Sequence, residues 1–176
     1  MNIWLKKIDI NDGLEYYNLI NTLSSYENVF AKPIPEPFSC YEDFEDFKKV
    51  RLIMEYGIKE NNIVPTITYW VMLKNKPIGY AILRHRIPEN KIGGNIGICL
   101  LSEYQGKELG KQVIEQLSLI ALNEYGLDDI YITVKKENIR CQKLMDKIGI
   151  DTFKEEKGYI FYRDDLNIRY EEEKIK

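Results

Sequence analysis

Ile98-Cys99-Leu100-Leu101-Ser102-Glu103-Tyr104-Gln105-Gly106-Lys107-Glu108-Leu109-Gly110 is the stretch on which the reading of this chain turns. An apolar run from Ile96 to Leu101 stops at a polar turn, and a helix is expected from near Lys107. Leu109, Val113, Leu117, Ala121 and Tyr125 recur every four residues up to Gly126, a suitable C-terminal stop. A strand that enters a helix through a glycine-bearing turn presents unpaired backbone N–H groups and the positive end of the helix dipole at one point. That geometry suits a phosphate or pyrophosphate. Gly106 permits the tight bend, Gly110 allows close approach of a ligand or a neighbouring strand, and Lys107 and Lys111 add positive charge at the rim. The turn is neither GxxxxGK[ST], since Gln112 stands where Ser or Thr is needed, nor GxGxxG. Glycines at such turns also serve packing, so the surrounding elements must decide.

Downstream, Ile130-Tyr131-Ile132-Thr133-Val134 reads as a buried strand. Asn138 can then N-cap a helix carrying Cys141, Leu144, Met145 and Ile148 on one face and stopping at Gly149, before a last strand from Tyr159 to Arg163. Upstream, Gly93-Gly94 precedes the apolar run, and a hairpin is expected from Ile67 to Leu73 and from Ile78 to Arg86 around Lys74-Asn75-Lys76-Pro77. Two helices precede it. One opens at a capping box of Asp12 and Glu15 and carries Tyr16, Leu19, Ile20 and Leu23. The other opens at Ser39 and Glu42, carries Phe44, Phe47, Val50 and Met54 on one side, and runs to about Tyr56, with Gly57 as its stop. The order is helix, helix, antiparallel strands, then strand-helix-strand-helix-strand. This is mixed α/β with a parallel crossover in the middle.

The 176 residues, 44% hydrophobic and 30% charged with a formal net charge of -3, make one domain able to bury a core. A mean hydropathy of -0.38 and the lack of a long apolar run exclude a spanning helix, and the N-terminus lacks signal-peptide order, so a cytoplasmic location is expected. Cys40, Cys99 and Cys141 are odd in number and widely spaced, and His85 is the single histidine. Neither a disulfide framework nor a metal site is indicated. With a pI near 5.4 and no basic block, neither nucleic acid nor a membrane is an expected partner. One domain over 1–170 and a solvated charged tail over 171–176 complete the expected organisation.

The run from Ile98 to Gly110 resembles the acetyl-coenzyme-A signature of the GNAT superfamily of N-acyltransferases, in which a strand leads into [Q/R]xxGx[G/A] at a helix start. Val134, Asn138, Cys141, Met145 and Gly149 follow the family's spacing downstream. Val64-Pro65-Thr66-Ile67-Thr68-Tyr69-Trp70, Ile78-Gly79, Leu83-Arg84-His85-Arg86 and Gly93-Gly94-Asn95-Ile96-Gly97 look like a bacterial subgroup of predicted GNAT acetyltransferases. The resemblance implies a mostly antiparallel mixed sheet with a central, splayed parallel strand pair flanked by helices. It further implies acetyl-CoA as cosubstrate without a metal, and transfer of the acetyl group to a small-molecule or peptide primary amine by direct attack in a ternary complex. The cofactor would lie against Ile98, Leu100, Gln105, Gly106, Lys107, Glu108, Leu109, Gly110, Lys111 and Asn138. A homodimer is compatible with this reading.

Two positions depart from the pattern. Glu108 replaces the middle glycine of the loop, where its backbone N–H is expected to serve the phosphate while the carboxylate turns to solvent. Met145 replaces the frequent tyrosine that protonates the leaving thiolate, leaving Tyr104, Tyr131 and Tyr162 as substitutes, with Tyr131 carried as a catalytic candidate. His85 is the candidate base for the acceptor ammonium, weighed against a strand histidine hydrogen-bonded near the core. The acidic residues Glu36, Glu42, Asp43, Glu45 and Asp46 are expected either to attract a cationic amine or to suit the dipole of the second helix. The departures also motivate rival readings: a CoA-binding sensor with little or no catalysis, and an interaction domain that has lost the cofactor.

Overall fold

Alternation of buried side chains builds a single seven-stranded sheet from β1 (Ile3–Lys7), β2 (Thr66–Leu73), β3 (Lys76–Arg84), β4 (Gly93–Leu100), β5 (Asp129–Lys135), β6 (Asp151–Glu156) and β7 (Tyr159–Asp165). The strand order is β1-β2-β3-β4-β5-β7-β6, and every neighbouring pair is antiparallel except β4 and β5. The helices are α1 (Leu14–Ser24), α2 (Tyr41–Met54), α3 (Leu109–Tyr125), α4 (Ile139–Ile148) and α5 (Leu166–Lys174). This computed structural model describes residues 2–26, 32–57, 64–85 and 93–174. The mixed sheet with its parallel central pair is the architecture anticipated from the sequence.

Because side chains alternate across a strand, β2 to β4 supply two cores. On one face Tyr69, Val71, Ala81, Leu83, Ile96 and Leu100 pack against Leu109, Val113, Leu117 and Ala121 of α3, with Ile130, Ile132 and Val134 of β5 and Met145 of α4 in the same cluster. On the other face Trp70, Met72, Tyr80, Ile82 and Cys99 meet Tyr16, Leu19, Ile20 and Leu23 of α1 and Phe44 and Phe47 of α2. Two glycines set the close approach of β3, β4 and their surroundings. A Cβ at Gly79 would stand 2.4 Å from Leu100 Cδ2 and 2.7 Å from the Cys99 carbonyl, and one at Gly94 would stand 2.7 Å from Leu127 Cδ1.

Several expected boundaries move. Asp12 does not cap α1, whose N-cap is Gly13 without a side-chain bond. Its buried carboxylate instead accepts hydrogen bonds from Lys6, from Trp70 Nε1 at 2.6 Å and from the Asp9 backbone N–H at 2.7 Å. A buried charge requires such partners, and this demand overrides local capping. The buried Lys48 ammonium is likewise satisfied, donating to the carbonyls of Ile10 and Asp12 at 2.7 Å each and to Glu45 at 2.9 Å. The second helix starts one residue later than expected, at a capping box of Cys40 and Asp43, and Val50 faces solvent rather than the core.

The edge strand β1, the strand β6 and the helix α5 lack a sequence signal of their own. All six residues of β6 are exposed, so its ladder with β7, rather than an apolar face, holds it. The boundary expected at residue 170 falls inside α5, which runs to Lys174, and Arg86, the expected end of β3, lies outside the described residues.

Candidate functional site

Gly93, Gly94 and Asn95 of β4 pair with Asp129, Ile130 and Tyr131 of β5, and there the ladder stops. Residues 96–100 and 132–135 continue as strands without pairing to each other. The divergence opens a cleft of about 1260 Å³ with β4 on one wall, β5 and α4 on the other, and the start of α3 at its mouth. The β5-facing edge of β4 thereby offers backbone N–H and C=O groups to whatever occupies the cleft.

At the mouth, a 3-10 turn (Ser102–Tyr104) leads through Gln105 to Gly106, whose φ of +75° needs a residue without a Cβ penalty. Glu108 follows at φ 61°, as the N-cap of α3. A left-handed glutamate stores roughly 1 kcal/mol or more of backbone strain that glycine would not. No backbone N–H from Gly106 to Lys111 has an acceptor among the described residues, and Gln112 N is the first bonded, to the Glu108 carbonyl at 3.3 Å. Six consecutive N–H groups and the positive end of a 17-residue helix thus converge on one point. The Glu108 carboxylate turns away to the surface and pairs with Lys147 of α4, which holds it below the usual carboxylate range. The carboxylate is exposed, as expected from the sequence, but it is held in an ion pair at the cleft mouth rather than free in solvent.

Side chains complete the mouth. Gln105 Nε2 donates to the Leu100 carbonyl at 2.8 Å, and Gln105 Oε1 accepts from Arg140 at 2.6 Å, so one amide ties the end of β4 to the start of α4. A Cβ on Gly110 would stand 3.1 Å from Leu144 Cδ2. Its missing side chain therefore serves the approach of α4 to α3 rather than of a strand. Asn138 caps α4, its Oδ1 accepting from the Cys141 N–H at 3.1 Å.

Of the residues expected at the cofactor, Ile98, Leu100, Gln105, Gly106, Glu108, Gly110, Lys111 and Asn138 line the cleft. Two side chains do not. Leu109 is buried in the core, leaving only its backbone for the loop, and Lys107 lies over the Tyr104 ring. The sequence reading missed Arg140, Lys143 and Lys147 of α4, which line the same mouth. Their i, i+3, i+7 spacing on one helical face was the available signal.

The catalytic candidates are not brought to the cleft lining. His85 lies past the end of β3 with its ring centroid 3.8 Å from that of Tyr125, at the far end of α3. Burial lowers its pKa, and its buried Nε2 has no partner among the described residues. Tyr131 sits at the closed end of the splay, half-buried, edge-on to Phe153 at 6.0 Å between centroids. Tyr162 is buried on the α3 side and Tyr104 packs at the loop under Lys76 and Lys107. Met145 is fully buried in the cleft wall, where it can donate no proton.

Cys99 and Cys141 also line the cleft, but burial pushes their thiols up to about 12 and about 11. Neither carries the thiolate a nucleophile needs. The acidic stretch is engaged locally. Asp43 accepts from the Cys40 N–H at 3.4 Å, Glu45 pairs with Lys48 and Asp46 with Lys49 at 2.9 Å, and neither these three nor Glu36 and Glu42 line the cleft. Among the described residues no group of three or more His, Cys, Asp or Glu side chains is placed to hold a metal ion, and no helix is long and apolar enough to cross a membrane.

The family model for the acetyltransferase (GNAT) domain matches residues 4–151. An N-alpha-acetyltransferase of Saccharolobus solfataricus is 24% identical over 126 residues, 72% of each chain. Among solved structures, apo FdhC, a nucleotide-linked sugar GNAT, superposes with a TM-score of 0.73 at 18% identity, covering 98% of this chain and 91% of that one. The Campylobacter jejuni N-acetyltransferase PseH in complex with acetyl coenzyme A gives a TM-score of 0.64 at 15% identity, with 93% and 99% covered.

Proposed function

The chain belongs to the GNAT acetyltransferase family and is an acetyl-CoA-dependent N-acetyltransferase, and from that premise we propose that it binds acetyl-CoA in the splay between β4 and β5 and passes the acetyl group directly to a primary amine. The observation that carries this reading is the run of unpartnered N–H groups from Gly106 to Lys111 at the mouth of the unpaired strands. The pyrophosphate rests on those groups, with Lys111, Arg140, Lys143 and Lys147 around it. The pantetheine arm takes the place of the missing strand against residues 96–100 of β4.

In the reaction the amine nitrogen forms a bond to the thioester carbonyl carbon, the C–S bond breaks, and CoA leaves as its thiolate. A backbone N–H on the unpaired stretch of β4 stabilises the oxyanion. The raised thiols of Cys99 and Cys141 support direct attack over an acetyl-cysteine intermediate. A thiolate with a pKa near ~8.5 leaves near neutral pH without full protonation, which makes Met145 tolerable at the position of the family's acid. Among the described lining residues there is no histidine and the only carboxylates are Glu108 and Glu137, so the acceptor loses its proton to solvent and kcat/KM rises with pH toward the amine's own pKa. A single domain over 1–170 is retained in this reading, with α5 extending beyond it.

The test combines thermal shift with acetyl-CoA, free-thiol release across a panel of amines, and intact mass after mixing with acetyl-CoA alone. Stabilisation, amine-dependent thiol release and an unmodified protein mass are expected. No stabilisation at saturating acetyl-CoA, or an acetylated protein that forms and decays during turnover, contradicts the reading.

A further inference from the structure

We infer that the acceptor is an amine that also carries an anionic group, a carboxylate or phosphate; this rests on the acetyl-transfer reading of the cleft given above. Strand alternation separates the cleft into two sides. On β4, Ile96, Ile98 and Leu100 face α3, while Cys99 packs with α1 and α2 and the alternation puts Asn95 and Gly97 on its side. On β5, Ile132 and Val134 face α3, which leaves Thr133 and Lys135 on the opposite side. On β3, Tyr80 and Ile82 belong to the α1 and α2 core, and Arg84 follows in the same alternation. The side away from the phosphate loop is therefore lined by Arg84, Asn95, Cys99, Thr133 and Lys135, with Lys32 entering from the segment before α2.

Three of these six side chains are cations and none is an acid. The two carboxylates among the described lining residues, Glu108 and Glu137, lie at the entrances of α3 and α4 on the cofactor side, and Glu108 is already paired with Lys147. Neither Lys32, Arg84 nor Lys135 has a carboxylate partner among the described residues. Several buried or half-buried cations elsewhere are matched. Arg163 forks onto Asp129 at 2.8 and 3.0 Å, Arg169 pairs with Asp164 at 2.7 Å, and Lys48 is fully satisfied. Unmatched positive charge converging on one side of a cleft sets up a field that favours an anion and repels a second ammonium.

The spacing is specific. Arg84 stands opposite Asn95, and Gly97 is two residues further along β4, at the level where the strands have parted. Two strand residues are roughly 7 Å, so the anionic group lies within a few bonds of the attacking nitrogen. A planar guanidinium at that distance takes a carboxylate or phosphate by paired hydrogen bonds, fixing the amine end toward the thioester. The position of the local acidic stretch points the same way, since none of its carboxylates lines the cleft and Glu45 and Asp46 pair with lysines of their own helix.

Calorimetry on the full chain saturated with CoA, with 2-aminoethyl phosphate, 4-aminobutyrate, butylamine and 1,4-diaminobutane as probes, tests this. At least one anionic amine is expected to bind roughly tenfold more tightly than butylamine, with 1,4-diaminobutane weakest. Arg84→Gln should cut the anionic-to-neutral affinity ratio by roughly tenfold, and Lys32→Gln or Lys135→Gln by a smaller factor. Arg84 is exposed at a strand end, and acetyl-CoA stabilisation of each variant verifies its fold. Tighter binding of 1,4-diaminobutane, failure of both anionic amines to bind, or an unchanged ratio in Arg84→Gln overturns the inference. If these occur while acetyl-CoA still stabilises the protein, the acetyl-transfer reading stands. Loss of acetyl-CoA stabilisation in the wild-type chain overturns both.

Discussion

The two ends of the cleft are built from different materials. The end proposed for the cofactor is mostly backbone, with six N–H groups in a row, the unpaired edge of β4 and two left-handed residues at Gly106 and Glu108. The end proposed for the acceptor is mostly side chain, with Lys32, Arg84, Asn95, Thr133 and Lys135 brought from four separate parts of the sequence. A site made of backbone tolerates change in side chains but not in chain path. A site made of side chains changes its preference with one substitution and leaves the fold intact.

The harshest way to break the cofactor end is to change its path. Gly110→Phe must push α4 away, because even a Cβ there stands 3.1 Å from Leu144 Cδ2. Titration calorimetry should show acetyl-CoA affinity falling at least ~100-fold, with the fold weakened by about 1–3 kcal/mol from overpacking. Unchanged affinity would place the phosphates elsewhere. Gln105→Ala tests a side chain at this end by cutting the tie between the Leu100 carbonyl and Arg140. A several-fold rise in KM for acetyl-CoA with kcat nearly constant is expected in steady-state thiol release, since about 1–2 kcal/mol of preorganisation is lost.

Glu108→Gly sharpens the comparison in the other direction. It relieves a left-handed conformation worth about 1 kcal/mol and gives up an exposed pair with Lys147 worth less than that. Urea unfolding should therefore show equal or slightly higher stability, and calorimetry an acetyl-CoA affinity equal to or modestly above wild type. The smallest effect is expected at His85, which lies outside both ends. His85→Gln should leave the thiol-release rate unchanged. Because burial lowers the histidine's pKa, the unfolded chain takes up a proton that the folded chain refuses as pH falls through its ordinary value of 6.5. Folding stability is thus full above that pH and declines below it, and urea midpoints should reveal a shallower acid-side decline in His85→Gln.

The same contrast explains what could be read in the sequence. The loop announces itself because its devices are local: Gly106 and Gly110 at fixed spacing, then a four-residue apolar repeat, with Asn138 and Gly149 bounding the next helix. The central parallel pair followed from that order of elements. The proposed acceptor end was illegible because residues 84 and 135 meet only through strand alternation and the registers of the ladders joining β3, β4 and β5, and residue 32 reaches them from the segment before α2. Local rules also failed at Asp12, where a buried network with Lys6, Trp70 and Asp9 takes the carboxylate from the helix start, and at β6, whose exposed residues carry no apolar period. His85 shared a face with Ala81 and Leu83 as the alternation required, yet that face leads to Tyr125 and not to the splay.

Amide hydrogen exchange of residues 106–111, with and without acetyl-CoA, tests the central claim most directly. Bound acetyl-CoA should slow exchange at these six otherwise unpartnered N–H groups by roughly tenfold or more, together with residues 96–100 of β4. Stabilisation of the protein by acetyl-CoA with exchange at 106–111 unchanged would contradict the account, because the pyrophosphate would then be held somewhere other than this loop.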